Sequence, residues 1–203
     1  NAQVHWVPDH IKDGRFGSFL RSNVDWALSR ERFWGTPLPI WVNDETGKMQ
    51  AVSSAAEILK KNPDAFRAFE AAQKQDPSLS EHLMVHKPWI DDVTWQEPGE
   101  PGTYRRVPEV IDCWFDSGCM PFAQWGYPHQ NRAEFERYFP AEFITEAVDQ
   151  TRGWFYSLMA VSTLMFPDQK QPHPFEHCVV LGHITDEKGQ KLSKSKKNYT
   201  DPM

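Results

Sequence analysis

The chain has 203 residues, 39% of them apolar and 25% charged, enough to bury a real core in one or two domains. A net charge of −6 and a pI near 5.7 argue against a general polyanion binder. No stretch reaches the roughly 20 apolar residues of a membrane span, and no charged-then-apolar leader opens the chain. The three cysteines, Cys113, Cys119 and Cys178, form no close pair, which points to reduced thiols in the cytoplasm rather than a disulfide framework. Asn1 is not a natural start, so a processed or excised chain is expected.

Val4 to Pro8 reads as an extended piece, and Arg15 to Leu20 as the start of a helix. Asp25 to Gly35 mixes Trp with Arg, which suits either core packing with a salt bridge or a ligand-facing role. Pro37 to Val42 alternates and reads as a strand that proline places near an edge. Residues 43–108 look like an inserted small α+β module. It has a turn at 43–47, a capping box at Ser54-Ala55-Ala56-Glu57 starting a helix to about Lys61, and a second helix from Asp64 to Lys74. Pro98, Gly99, Pro101 and Gly102 mark a loop before Val107. His82 and His86 are four apart, but two His alone read as a surface pair.

Glu109 to Gly118 reads as a strand and a polar Gly turn. Phe122 to Phe139 reads as a loop and a short helix. Phe143-Ile144-Thr145 is a buried strand by its apolar run, and Trp154 to Phe166 a buried helix closed by Pro167. Glu146, Asp149 and Gln150 fall between them. A strand ending in polar residues just before a helix is where open α/β sheets place ligands. Asp149 as a plain helix N-cap is the competing account, and Trp114 as a plain core aromatic is another. Cys178 to Ile184 reads as a strand and Asp186 to Gly189 as a hairpin-like turn. The segment Lys191-Leu192-Ser193-Lys194-Ser195 joins mobile cations to hydroxyl and backbone donors, a set suited to a polyphosphate. It lacks Walker A spacing, and no GxGxxG occurs. A solvated charged loop is the bland account of it.

The order of these segments carries more than any one of them. Asp25 to Ile40 resembles a Trp-x-x-Ser-Arg-x-x-x-Trp-Gly segment, residues 112–118 a WFDSG signature, Asp149 to Phe155 a DQxRGWF signature, and residues 191–195 a KMSKS loop with Leu for Met. In that order they resemble the isoleucyl-tRNA synthetases, a family of class I aminoacyl-tRNA synthetases, over essentially the whole chain. The resemblance implies the second half of a catalytic domain: an α/β fold with a partial Rossmann-like parallel sheet. In it, 1–42 returns from an editing insertion, 43–108 is an inserted, degenerate zinc-knuckle-like module, and 109–203 completes the nucleotide-binding fold.

The same resemblance implies activation of isoleucine with ATP, Mg²⁺ arriving with the ATP, and transfer of the acyl group to tRNA(Ile). Trp114 and Trp154 would line the isoleucine slot. Glu146, Asp149 and Gln150 would contact amino acid or adenylate. Lys191 and Lys194 would be catalytic, binding ATP phosphates with Ser193 and Ser195. No His-x-Gly-His motif occurs, because Gly182-His183-Ile184 lies in the wrong place. Half of the ATP site, and the N-terminal half of the catalytic domain, are therefore expected to be missing, leaving the isolated chain with little activity. Relatives place cysteine pairs near 43–46 and 98–100 to bind zinc. Asn43, Thr46, Pro98 and Glu100 stand here, so no zinc is expected. Ala147 stands where the family has Gly, and Glu31 where it has Gln or Asn. A valine-activating relative is disfavoured by Asp116-Ser117-Gly118 and Arg152-Gly153-Trp154. The rival of another class is a non-catalytic module that binds nucleotide, RNA or a partner.

Overall fold

A computed structural model of the chain describes residues 1–193 and 195–199. In chain order its strands are β1 (His5–Val7), β2 (Ser29–Arg30), β3 (Ile40–Asn43), β4 (Met49–Ala51), β5 (Thr94–Trp95), β6 (Tyr104–Arg106), β7 (Val110–Ile111), β8 (Ala141–Ala147) and β9 (Phe175–Leu181). The α-helices are α1 (Gly17–Arg21), α2 (Ala55–Lys61), α3 (Arg67–Gln75), α4 (Cys113–Gly118), α5 (Met120–Ala123), α6 (Arg132–Tyr138) and α7 (Trp154–Met165). The chain divides into two compact units, one of Asn1–Asp25 with Trp114–Met203 and the other of Trp26–Cys113.

The first unit is α/β, as the sequence predicts. Its sheet runs β1-β9-β8, with both pairings parallel. The middle strand β9 buries Phe175 and Cys178, and its neighbours Trp6 on β1 and Phe155, Leu158 and Met159 on α7 pack against them with Phe16. Each such side chain contributes about 1.5–3 kcal/mol on burial. The helix α7 forms where a continuous apolar run follows Gly153, and it stops before Pro167. β8 is longer than the run Phe143-Ile144-Thr145, because pairing begins at Ala141 opposite Phe175 and ends at Ala147 opposite Leu181. It is not the buried strand expected, since Phe143 and Thr145 are exposed and only Ile144 of the three packs on the core. β9 starts three residues before Cys178, since Phe175 is fully buried, and ends before Gly182, His183 and Ile184, which are exposed.

The second unit holds a four-stranded antiparallel sheet in the order β4-β3-β6-β5. Trp41, Ile58, Phe66, Ile90, Trp95 and Tyr104 build its core. Trp41 donates its indole N–H to Val93 O at 2.7 Å. Ser54 caps α2, accepting from Glu57 N, while the Glu57 carboxylate reaches back to Ser53 N rather than to the cap itself. Its Arg106 side chain is buried on Asp91 and on the carbonyls of Leu38 and Glu109.

Two local expectations are corrected. β3 is an inner strand, not an edge. Pro37 and Pro39 both precede it, and Pro39 contributes only its carbonyl, which accepts from Val52 N at 2.9 Å. The polar Gly turn expected to end the segment Glu109 to Gly118 is helix α4. Gly118 serves close packing there: a Cβ would lie 2.7 Å from Ser157 O of α7.

Candidate functional site

The two expected indoles lie at the same corner of the first unit. Trp114 sits on α4, and Trp154 opens α7 after the 3-10 turn Val148–Arg152. Trp154 Nε1 donates to Ser117 O at 3.2 Å, and Ser117 Oγ donates to Trp114 O at 3.1 Å, so one turn of α4 carries both rings. Gly153 lets them approach. A Cβ at that position would stand 3.1 Å from the Trp114 ring and 2.6 Å from Gln150 Oε1. Trp114 remains 42% exposed, so it is not a plain core aromatic.

Asp149 is not the helix cap. The residue preceding α7 is Gly153, and the N–H of Trp154 is instead accepted by Gln150 Oε1 at 2.9 Å. The reach from 150 to 154 suits Gln, whereas Asp149 stays exposed on the 3-10 turn. Glu146 lies near the end of β8, also exposed, paired across the sheet with Val180. Neither carboxylate takes part in an ion pair among the described residues. The turn itself is held from behind: Arg15 Nε donates to Thr151 Oγ1 at 2.9 Å, and Thr151 is fully buried. Ala147 has φ −73° and ψ 160°, an extended conformation open to any residue, so the fold accommodates Ala here without strain.

A cavity of about 340 Å³ opens beside this corner. Glu146 and Trp154 line it with Met120, Phe139, Phe143 and Leu158. An apolar recess of this size with one carboxylate at its rim fits a small ligand with an aliphatic body and a cationic head.

The cationic loop lies beyond β9. Lys191 bridges back to Thr185, and Ser193 Oγ and Ser195 Oγ are 2.8 Å apart. Lys194 falls outside the described residues. The hydrogen bonds described for the loop stay within residues 184–198, so the structure does not itself join it to the indole corner. Two of the three thiols are poor nucleophiles: burial pushes Cys178 up to about 12, and burial with the nearby Asp116 charge pushes Cys119 up to about 11. From the sequence, Gly153 and Ser117 stand out only within the Arg152-Gly153-Trp154 and Asp116-Ser117-Gly118 motifs, and the Arg15–Thr151 support has no sequence signal.

The four zinc-knuckle positions do not fit the metal. Asn43 is buried, and its Oδ1 accepts from Glu45 N and Thr46 N at 2.9 Å while Nδ2 donates to Pro101 O at 2.9 Å. Thr46 Oγ1 donates to Glu100 Oε1 at 3.1 Å, and Lys48 pairs with the same carboxylate at 3.0 Å. Pro98 has no side-chain donor atom. Zinc needs thiolate, imidazole or carboxylate ligands, and only Glu100 of the four is one. Among the described residues no group of three His, Cys, Asp or Glu side chains is close enough to hold a metal ion.

The family model for tRNA synthetases class I (I, L, M and V) matches residues 1–203. The chain belongs to that family. It is 48% identical over 203 residues to the isoleucine–tRNA ligase of Clostridium tetani and 49% identical over 210 residues to that of Thermobifida fusca, each match covering 100% of this chain. The chain spans about 18% of the length of each of these relatives. A LeuRS of Agrobacterium radiobacter, solved as a ternary complex with tRNA and LeuAMS, shares the fold with TM-score 0.56 and 19% identity, over 93% of this chain and 24% of that one. The synthetase fold expected from the motifs is therefore the fold found. No helix among the described residues is long and apolar enough to cross a membrane.

Proposed function

We propose that this chain is the second half of the catalytic domain of an isoleucine–tRNA ligase. In this reading residues 1–42 lead back from an editing insertion and 43–108 form an inserted module. The observation that carries the proposal is the Gly153 corner, where Trp114 and Gln150 close in on the backbone that leads into Trp154, and Trp154 lines the recess together with Glu146. Its support is the similarity to isoleucine–tRNA ligases along the whole chain.

The chemistry follows from the atoms that remain available. The isoleucine side chain lies against the two indoles, and its ammonium meets the carboxylates of Glu146 and Asp149. Gln150 Oε1 already holds Trp154 N–H, so its Nε2 is the atom left to meet the substrate. The isoleucine carboxylate attacks the α-phosphorus of ATP, and the bond to the β-phosphate oxygen breaks to release pyrophosphate. Mg²⁺ enters as part of the ATP substrate. Charge builds on the phosphates in that step, and Lys191 and Lys194, with Ser193 and Ser195, stabilise it. A hydroxyl at the 3′-end of tRNA(Ile) then takes the acyl group and AMP leaves, in the cytoplasm. A rigid aromatic slot excludes larger side chains but discriminates weakly against a ligand one methylene smaller.

β8 fits the same reading. It pairs with β9 along one edge, and it carries exposed Phe143. An edge strand leaves backbone N–H and C=O groups open to pairing, so this edge suits the half of the domain that would complete the ATP site. The isolated chain is then nearly inactive. The test is amino-acid-dependent ATP–pyrophosphate exchange by the protein at the full length of its relatives. Exchange with isoleucine, weaker with valine, is expected. Exchange with another amino acid, or none, overturns the proposal.

A further inference from the structure

Beyond the cationic loop's own side chains, one residue stands out. Asn198 is half-buried, and its carboxamide is used at both ends. Its Oδ1 accepts from Ser193 N at 3.0 Å. Its Nδ2 donates to Asp186 Oδ2 at 2.9 Å and to Lys191 O at 3.2 Å. Asp186 is itself fixed, since its other oxygen accepts from Lys188 N at 3.0 Å and Gln190 N at 2.8 Å. The Asp186 backbone N–H donates to Gln190 O at 2.8 Å, and Leu192 N donates to Ile184 O at 3.2 Å. The loop thus closes on a stem, and one side chain holds the main chain on both sides of Leu192 to that stem.

We infer that Asn198 is a positioning residue for ATP: by tying the backbone at Lys191 and Ser193 to Asp186, it presets where the loop presents its cations and hydroxyls to the phosphates. This rests on the ligase reading above. The polarity of the tie is what makes it specific. An acceptor faces Ser193 N, and a donor faces both a carboxylate and a carbonyl, an arrangement that an amide satisfies and a carboxylate does not. Positioning of this kind acts on the reacting phosphates through entropy and geometry rather than through contact.

The test is isoleucine-dependent ATP–pyrophosphate exchange in the full-length protein, with kcat and both KM values measured. Asn198→Ala is expected to lower kcat/KM for ATP on the order of tenfold, the scale of one net hydrogen bond, with the KM for isoleucine unchanged. Asn198→Asp is expected to be worse than Asn198→Ala, because the new carboxylate turns an acceptor oxygen on Lys191 O and faces Asp186 with like charge. Adding Asp186→Asn to Asn198→Asp restores one donor–acceptor pair and is expected to recover part of the loss. An Asn198→Ala protein with unchanged ATP parameters, or an Asn198→Asp protein as active as it, overturns the inference. A wild-type protein that shows no exchange with isoleucine overturns the ligase reading instead, and the ATP role of Asn198 with it.

Discussion

Two polar turns, one in each unit, look alike in composition and behave in opposite ways. Around Asn43 the polar groups turn inward. Its amide, Thr46, Lys48, Glu100 and Tyr104 satisfy one another. At the β8–α7 corner, Glu146 and Asp149 stay exposed and Trp114 is 42% exposed, beside an apolar recess. A polar turn that saturates its own bonds is holding a fold together. One that leaves carboxylates exposed beside the indoles is what the proposed amino-acid site requires.

The difference is sharpest for tryptophan. Trp41→Ala empties a fully buried position and is expected to cost about 3–5 kcal/mol. Trp114→Ala is expected to cost well under half of that while impairing isoleucine activation. Urea unfolding of the two variants checks this, and equal losses would erase the distinction. Asn43→Ala leaves the N–H groups of Glu45 and Thr46 without their acceptor and is expected to cost about 1–3 kcal/mol in the same assay. A chelator is expected to leave the melting temperature of the unaltered chain where it was. A fall on chelation would return a metal to these turns.

The smallest effect is a pH dependence. The hydrogen bond from Lys48 above all, then those from Thr46 and Tyr104, hold the Glu100 carboxyl below the usual carboxylate range. A depressed folded-state pKa gives stability that is complete above the unfolded value, about 4.3, and is lost as pH falls through the folded value. Acid titration of Glu100→Gln beside the unaltered chain is therefore expected to show a shallower loss of stability below about pH 4.

The parts legible in the sequence are those set by long apolar runs and by strong local signals. β8, α7 and the Ser54 cap fall near where their residues place them. The indole pair was legible only through motif order, since Trp114 and Trp154 are 40 residues apart and nothing local links them. The misread parts share one cause. At Gly118 and at Pro39, a residue with a familiar local role serves a tertiary one. Gly118 makes room for α7, and Pro39 supplies a carbonyl. Asn198 was passed over for the same reason, because its partners lie up to 12 residues back.

The central claim is that the exposed carboxylates at the β8–α7 corner serve the amino acid and not the fold. Glu146→Gln in the full-length protein tests it most directly, through the KM for isoleucine in pyrophosphate exchange with the melting temperature alongside. The account predicts a KM raised on the order of ten- to a hundredfold, the worth of a charge-assisted hydrogen bond, and an unchanged melting temperature. An unchanged KM, or a melting temperature that falls while the KM holds, would contradict it.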